Sequence, residues 1–349
     1  MAIKASGSPL SFGEISTEFG PNVGSTGVSL GRYSNSDSNF RFKDVGSLTD
    51  LPLDAGIPKT GQIKVSDFYT KKLNIIVDFH SGGTTTRVSA SDRYGVAGGT
   101  KVVGGYTSRP TSPNGKRVIV NVNKKIGSET GGNDRCALRT GGWHPGTYSL
   151  EIEVGSNGKI YGAGGDGGNG GGGSNGGGSN GEAGSSAIGW GLMSNSTIQK
   201  INNLGRIQAG YGGGGGGGGK GESRKSGKKG SKYHASTGGG GGAGAGYPNG
   251  VGGNPGSGQQ NDGTTGSAGG NGTDQASGAR GAGGSEAGYG GKGGVVNNSS
   301  TKGEDGQTTG GPGGTAGNNG YAIMTAHGSL PTITGNAVIG RTITSSNPQ

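Results

Sequence analysis

Between positions 220 and 234 the chain reads Lys220-Gly221-Glu222-Ser223-Arg224-Lys225-Ser226-Gly227-Lys228-Lys229-Gly230-Ser231-Lys232-Tyr233-His234, with glycine runs on both sides. Lysine and arginine far outnumber the single glutamate, and such cations make their strongest hydrogen bonds to carboxylates and phosphates. Loops carried by a rigid scaffold are where binding usually resides. Lys220, Arg224, Lys225, Lys228, Lys229, Lys232, Tyr233 and His234 are therefore candidate ligand contacts within a loop spanning 220–237. Tyr247 and Lys302 join them from two further loops, 247–260 and 295–305, which also lie between or beside glycine strips. Nucleic acid fits poorly, because Tyr233 is the one aromatic there on which a base could stack.

Other chemistry is harder to find. The run ending in Lys220 resembles a phosphate-binding loop, but Gly221 stands where serine or threonine is required. Gly269-Gly270-Asn271-Gly272-Thr273-Asp274-Gln275-Ala276 resembles one calcium-binding nonapeptide, and such sites need consecutive copies. His80, His144, His234 and His327 lack metal-ligand spacing, and Trp143-His144-Pro145 reads as a loop anchor. Cys136 is the sole cysteine, which excludes an intrachain disulfide and a multi-cysteine zinc site; it reads as a small apolar residue. No catalytic residue, metal or cofactor is expected, and no convincing pair of acids stands out.

The elements that must position the basic loop are unusual. Of 349 residues, 91 are glycine, while 26% are hydrophobic and 5% aromatic, so one large apolar core is not available. Glycine has no side chain to bury and loses the most backbone entropy on ordering. A tract this dense is either a flexible linker or a packed array in which only hydrogen fits between backbones. Single apolar residues such as Ile160, Tyr161, Ile188, Trp190, Ile201, Ile207, Tyr211 and Tyr247 punctuate the tracts, which favours packing. Collagen is excluded, because runs such as 170–173 break the three-residue register and prolines number only 12. In an array of extended three-fold helices the run 212–219 would reach roughly 25 Å at about 3.1 Å per residue. Strips at 162–181, 212–219, 238–246, 252–258, 263–272, 278–294 and 310–320 form an irregular repeat, each expected to cross the array once.

The order of these motifs carries a resemblance. Gly158-Lys159-Ile160-Tyr161-Gly162-Ala163-Gly164-Gly165-Asp166-Gly167-Gly168 is followed by a short apolar segment from 187 to 198. Then come Ile201-Asn202-Asn203-Leu204-Gly205-Arg206-Ile207 and the octaglycine run. Over roughly residues 148–328 the chain resembles the receptor-binding adhesins at the tips of T-even-like bacteriophage long tail fibres. The resemblance implies a polyglycine II helix sandwich whose loops bind a host receptor, an outer-membrane protein or lipopolysaccharide, and it implies no enzyme. It also implies a virion location at the tail-fibre tip after synthesis in the host cytoplasm. The formal net charge of +10 can mean nucleic acid, an anionic membrane or an acidic glycan as partner.

Residues 1–71 read as a separate module. Phe12, Ile15 and Phe19 share one face of a short helix, with Ser11 and Glu14 placed as a capping box. With Gly61-Gln62-Ile63-Lys64-Val65-Ser66-Asp67-Phe68-Tyr69, this segment resembles an N-terminal module of phage tail proteins and implies attachment to other tail proteins. Residues 72–155 read as a small antiparallel β-domain with strands at 73–79, 117–123 and 148–154, the last placing Tyr148, Leu150, Ile152 and Val154 on one face. Residues 156–328 are the glycine-rich sandwich, and 329–349 a last strand or tail. The expected class is thus mainly β and irregular. The N-terminus lacks a signal-like apolar stretch, and no segment approaches the roughly 20 apolar residues of a membrane span, so membrane insertion is not expected. Two other readings of the glycine array remain open, a purely structural spacer in a fibre or baseplate and an ice-binding surface.

Overall fold

A computed structural model describes residues 5–19, 30, 57–58, 61–71, 74–79, 85–86, 88–89, 115–132, 134–141, 143, 146–173, 175–191, 197–220, 223–227, 230–257, 263–295, 298–307, 310–326 and 329–344; at 16–19, 76, 78, 85–86, 88–89, 223–227 and 230–234 it describes the backbone alone. The fold is mainly β and irregular, with one short α-helix, α1 (Phe12–Phe19), among the described residues. Its capping box forms as the sequence implies: the Glu14 amide donates to Ser11 Oγ at 3.2 Å and the Ser11 amide to Glu14 Oε2 at 2.9 Å.

Strands from most of the chain make three parallel sheets. The first joins β1 (Ile75–Phe79), β4 (Arg117–Val122), β7 (Ser149–Val154), β10 (Ile198–Asn203) and β15 (Thr332–Gly335). The second joins β2 (Thr85–Thr86), β5 (Lys125–Gly127), β8 (Lys159–Tyr161) and β11 (Arg206–Gln208). The third joins β3 (Val88–Ser89), β6 (Cys136–Arg139), β9 (Ser186–Trp190), β14 (Tyr321–Thr325) and β16 (Arg341–Thr344). From β1 to β11 consecutive strands visit the three sheets in rotation, and the last coil meets the second sheet through a single parallel bridge of Ile339 to Gln208, which winds the chain as a three-sided parallel β-solenoid. In the first sheet Val77, Val120, Ile152, Ile201 and Ile333 stand in register, and in the third Leu138, Ile188 and Ile323 do the same. Stacking like apolar residues from coil to coil removes them from water together, each worth about 1.5–3 kcal/mol when fully buried.

The expectation of an antiparallel β-domain ending at 155 is therefore corrected. In these three sheets each strand pairs with one a full coil away, so the solenoid's pairing is parallel, and it draws strands from 75 to 344. Period-two alternation looks the same in either orientation, which is why the sequence did not reveal this. Tyr148 also departs from expectation: it precedes β7 and is exposed, while Leu150, Ile152 and Val154 are buried. Ile15, Ile57, Ile63 and Phe68 belong to the same buried cluster as the solenoid strands, so the described part of 1–71 packs onto this core.

Within the first sheet, Glu151 is mostly buried and accepts from Arg117 Nε at 3.1 Å, Arg117 Nη2 at 2.8 Å and Ser149 Oγ at 2.7 Å. Burial alone would raise its pKa; the hydrogen bonds from Arg117 and Ser149 and the Arg117 charge outweigh it and hold the carboxyl below its ordinary value. A depressed folded pKa contributes stability above the unfolded value of about 4.3, lost as pH falls through the folded one. Glu151→Gln is expected to flatten this part of the acid limb in melting curves taken from pH 6 to 3. An unchanged slope would remove Glu151 from the acid response.

The glycine tracts leave the solenoid between its second and third sheets. From β8 the chain runs out through strip 1 (162–173) and back through strip 2 (177–185) to β9. From β11 it runs out and back through strips 3 (209–220), 4 (236–246), 5 (250–257), 6 (263–272), 7 (277–284), 8 (287–294), 9 (299–306) and 10 (310–320) to β14. Partners along a strip repeat every third residue. In strip 3 the amides of Gly213, Gly214 and Gly215 donate to Glu182, Gly242 and Thr301, in strips 2, 4 and 9. Those of Gly216, Gly217 and Gly218 donate to Ser179, Gly239 and Glu304, in the same three strips. Carbonyls of strip 3 accept from strips 1, 8 and 10 with the same period. Strip 3 is thus hydrogen-bonded on every side, and strip 4 likewise, donating to strips 1, 6 and 8 and accepting from 3, 5 and 7. A three-residue period with all bonds made between strips is that of an extended three-fold helix, and it satisfies the buried backbone.

Sequence period assigns each strip its place. The enclosed strips 3 and 4 carry the unbroken runs 212–219 and 238–242; the buried Ala243 and Ala245 are the exceptions at one end of strip 4. Strips 1 and 8 border both enclosed strips and follow a Gly-Gly-X pattern, with Asp166 and Asn169, or Tyr289 and Lys292, at the outward position. The remaining strips border only one enclosed strip and come mostly as Gly-X-X. Outward Asx, Ser and Thr side chains then satisfy the rim: Asp166 Oδ1 accepts from the Val251 amide at 2.7 Å, Asn180 Oδ1 from Thr315 at 2.9 Å and Thr301 Oγ1 from Lys292 at 2.7 Å. Strip 9 was read from sequence as loop 295–305, since only Gly303 and Gly306 mark it. The single expected strips 162–181 and 278–294 each fold back into two.

Candidate functional site

Alternation of outgoing and returning strips gives the lattice two ends. The proximal turns, 246–250, 272–278 and 294–299, lie toward the solenoid. The distal connections are 173–176, 221–235, 257–263, 284–288 and 306–310. The longest distal connection is the basic segment, which forms an antiparallel hairpin of β12 (Ser223–Gly227) and β13 (Gly230–His234). Register sets Arg224 opposite Tyr233, Lys225 opposite Lys232 and Ser223 opposite His234. Lys228 and Lys229, between the strands, lie outside the described residues.

Lys220 sits at the root of this hairpin and is buried. Its Nζ lies 2.5 Å from Glu286 Oε2 in the neighbouring distal turn, so it braces the base of the distal end. Lys302 is exposed and paired within strip 9 to Asp305 at 2.9 Å. The Lys302 ammonium and the Gly313 amide hold the Asp305 carboxyl below its ordinary value. Arg280, which the sequence did not single out, pairs with Glu304 at 2.8 Å and lies 4.9 Å from the centre of the Tyr289 ring. These charges occupy outward positions of strips 7 and 9, with the Tyr289 ring of strip 8 between them in the chain. Of the histidines set aside above, His80, His144 and His327 lie outside the described residues, and for His234 only the backbone is described.

Tyr247 is not part of the distal end. It stands in a proximal turn, half-buried, with Lys125 Nζ of β5 3.4 Å from its ring centre, and its carbonyl accepts from the Ser128 amide at 3.1 Å. Lys125 also pairs with Asp274 of the next proximal turn at 2.6 Å, and Gln208 Nε2 donates to the Asp274 carbonyl at 2.7 Å. Tyr247 and Asp274 thus form the joint between lattice and solenoid. The expected loop 247–260 fails to collect its residues at one place because strip 5 carries the chain from one end to the other. Gly127 makes the joint possible: a Cβ there would lie 2.6 Å from Tyr247 Cδ1 and 2.8 Å from its carbonyl oxygen. Gly127→Ala is expected to cost about 1–3 kcal/mol by forced overpacking, read as a lower melting temperature. An unchanged melt would show that the turn can move without loss.

Among the described residues no group of His, Cys, Asp and Glu could hold a metal ion, and no helix is long and apolar enough to cross a membrane. What the geometry defines is a β-solenoid that carries a glycine-strip lattice and, at its far end, a basic hairpin among shorter turns.

No protein-family model matches the chain, and no curated protein matches it. Among solved structures it is similar to the crystal structure of the gp37-gp38 adhesin tip complex of the bacteriophage S16 long tail fiber, at 18% sequence identity and a TM-score of 0.37, over 82% of this chain and 90% of that chain. A likeness this loose carries no argument about function.

Proposed function

We propose that this chain is a phage tail-fibre tip adhesin that binds a receptor on the host surface, an outer-membrane protein or lipopolysaccharide, through the distal end of a polyglycine II lattice. One observation carries the reading: the lattice gathers its basic hairpin and shorter turns at the end away from the solenoid, on strips whose backbone bonds are made to one another. A platform of that kind loses little conformational freedom when its loops bind. The order of glycine motifs adds support. Binding is reversible and non-covalent, and copies on several fibres would gain avidity from effective concentration. Residues 1–71 would attach the chain to other tail proteins, and its place would be the virion, at the fibre tip.

The test is adsorption of labelled protein to candidate host strains, beside mutants with truncated lipopolysaccharide or lacking single outer-membrane proteins. Saturable adsorption lost in one mutant class supports the adhesin and names the receptor class. Absence of adsorption to every strain that the parent phage infects would overturn the reading in favour of a spacer.

A further inference from the structure

A second candidate site lies away from the hairpin. Where the lattice meets the last coil of the solenoid, an open cleft of about 500 Å³ has a floor that includes Ala209, Val338 and Ile339, with Tyr211 beside them. Its rim carries Asn298 and Ser299, both exposed, together with Asn319 and Arg341. A neighbouring cleft of about 380 Å³ shares Ser299, Asn319 and Arg341, so the two run together as one groove.

The polar groups are set in advance. Asn319 Oδ1 accepts from the Gly212 amide at 3.0 Å, which fixes the amide plane and leaves Nδ2 as its donor. The Arg341 guanidinium lies 5.6 Å from the Tyr321 ring centre, a cation–π contact that holds it at the rim while its edge keeps N–H donors. Among the described residues no Asp or Glu lines either cleft. An apolar floor with aromatic rings, side-chain amides, a hydroxyl and a guanidinium with no carboxylate partner among the described residues suits a hydroxyl-rich ligand that bears an anion.

We propose that this groove binds an acidic oligosaccharide, with Arg341 pairing a sugar carboxylate and Ser299 and Asn319 hydrogen-bonding ring hydroxyls. The site is separate from the distal hairpin, so it stands or falls apart from the adhesin reading. Titration calorimetry on the full chain would compare oligogalacturonate with the neutral galactose oligomer of equal length and with inorganic phosphate. Wild type is expected to bind oligogalacturonate at least tenfold more tightly than the neutral oligomer or phosphate. Arg341→Gln should remove that preference, and Ser299→Trp, which fills the groove from an exposed turn, should abolish binding. Equal tight binding of phosphate would mean an anion site that does not read sugar, and would overturn the proposal. So would no binding by wild type, or unchanged binding in either variant with a wild-type melting curve. Should Arg341→Gln disturb the β14–β16 pairing, Ser299→Trp decides alone.

Discussion

Gly216→Ala is expected to melt well below wild type and to give little soluble protein. Gly216 lies in the enclosed strip 3, and a Cβ there would overlap the backbone carbonyl of Asn169 in strip 1. Two effects compete. Alanine reduces the freedom of the unfolded chain, which by itself stabilises by about 0.4–1 kcal/mol. Overpacking typically costs about 1–3 kcal/mol, and more when neighbours cannot move aside. Here the neighbour is backbone, held by its own bonds to further strips, so the clash prevails with a net loss near or above ~3 kcal/mol. At roughly 2–4 °C per kcal/mol that is a fall of about 6–12 °C or more. Lys292→Ala, at an outward position of strip 8, should stay within about 0.5 kcal/mol. Scanning calorimetry on the pair makes the comparison. Equal melting temperatures would mean that the lattice yields easily and is not the rigid platform the adhesin reading requires.

Neutralising the hairpin should do the opposite, sparing the fold and removing adsorption. In the variant Arg224, Lys225, Lys228, Lys229 and Lys232 all become serine, which halves the formal net charge of +10. Among the described residues β12 and β13 pair only with each other, so solenoid and lattice should melt as in wild type. Adsorption of labelled protein to a susceptible host should fall at least tenfold near 0.05 M salt. The difference should shrink as salt rises, because the screening length drops from about 10 Å at 0.1 M to about 3 Å at 1 M. Lost adsorption with an unchanged melt places recognition on the hairpin. Equal adsorption at every salt concentration would move recognition to the other distal turns.

From the sequence, the apolar residues that punctuate the tracts favoured packing over a flexible linker. Which strips are enclosed emerged from the structure, and its physical reason is that a strip surrounded by backbone has room for hydrogen at every position. The unbroken run 212–219 of strip 3 and the spacing of Asp166 and Asn169 in strip 1 agree with that reason once the packing is known. The capping box at Ser11 and Glu14 was local and legible. Tertiary structure decided the rest. Parallel pairing was hidden because Val77, Val120, Ile152, Ile201 and Ile333 alternate in their strands as they would in an antiparallel sheet, and their partners lie a coil apart. The reversal at 173–176 was hidden because a glycine in a turn and a glycine in a strip are the same residue. The two ends of the lattice were hidden for a related reason. Whether Tyr247 faces a receptor or locks onto Lys125 depends on how many reversals precede it, and that parity belongs to the folded chain.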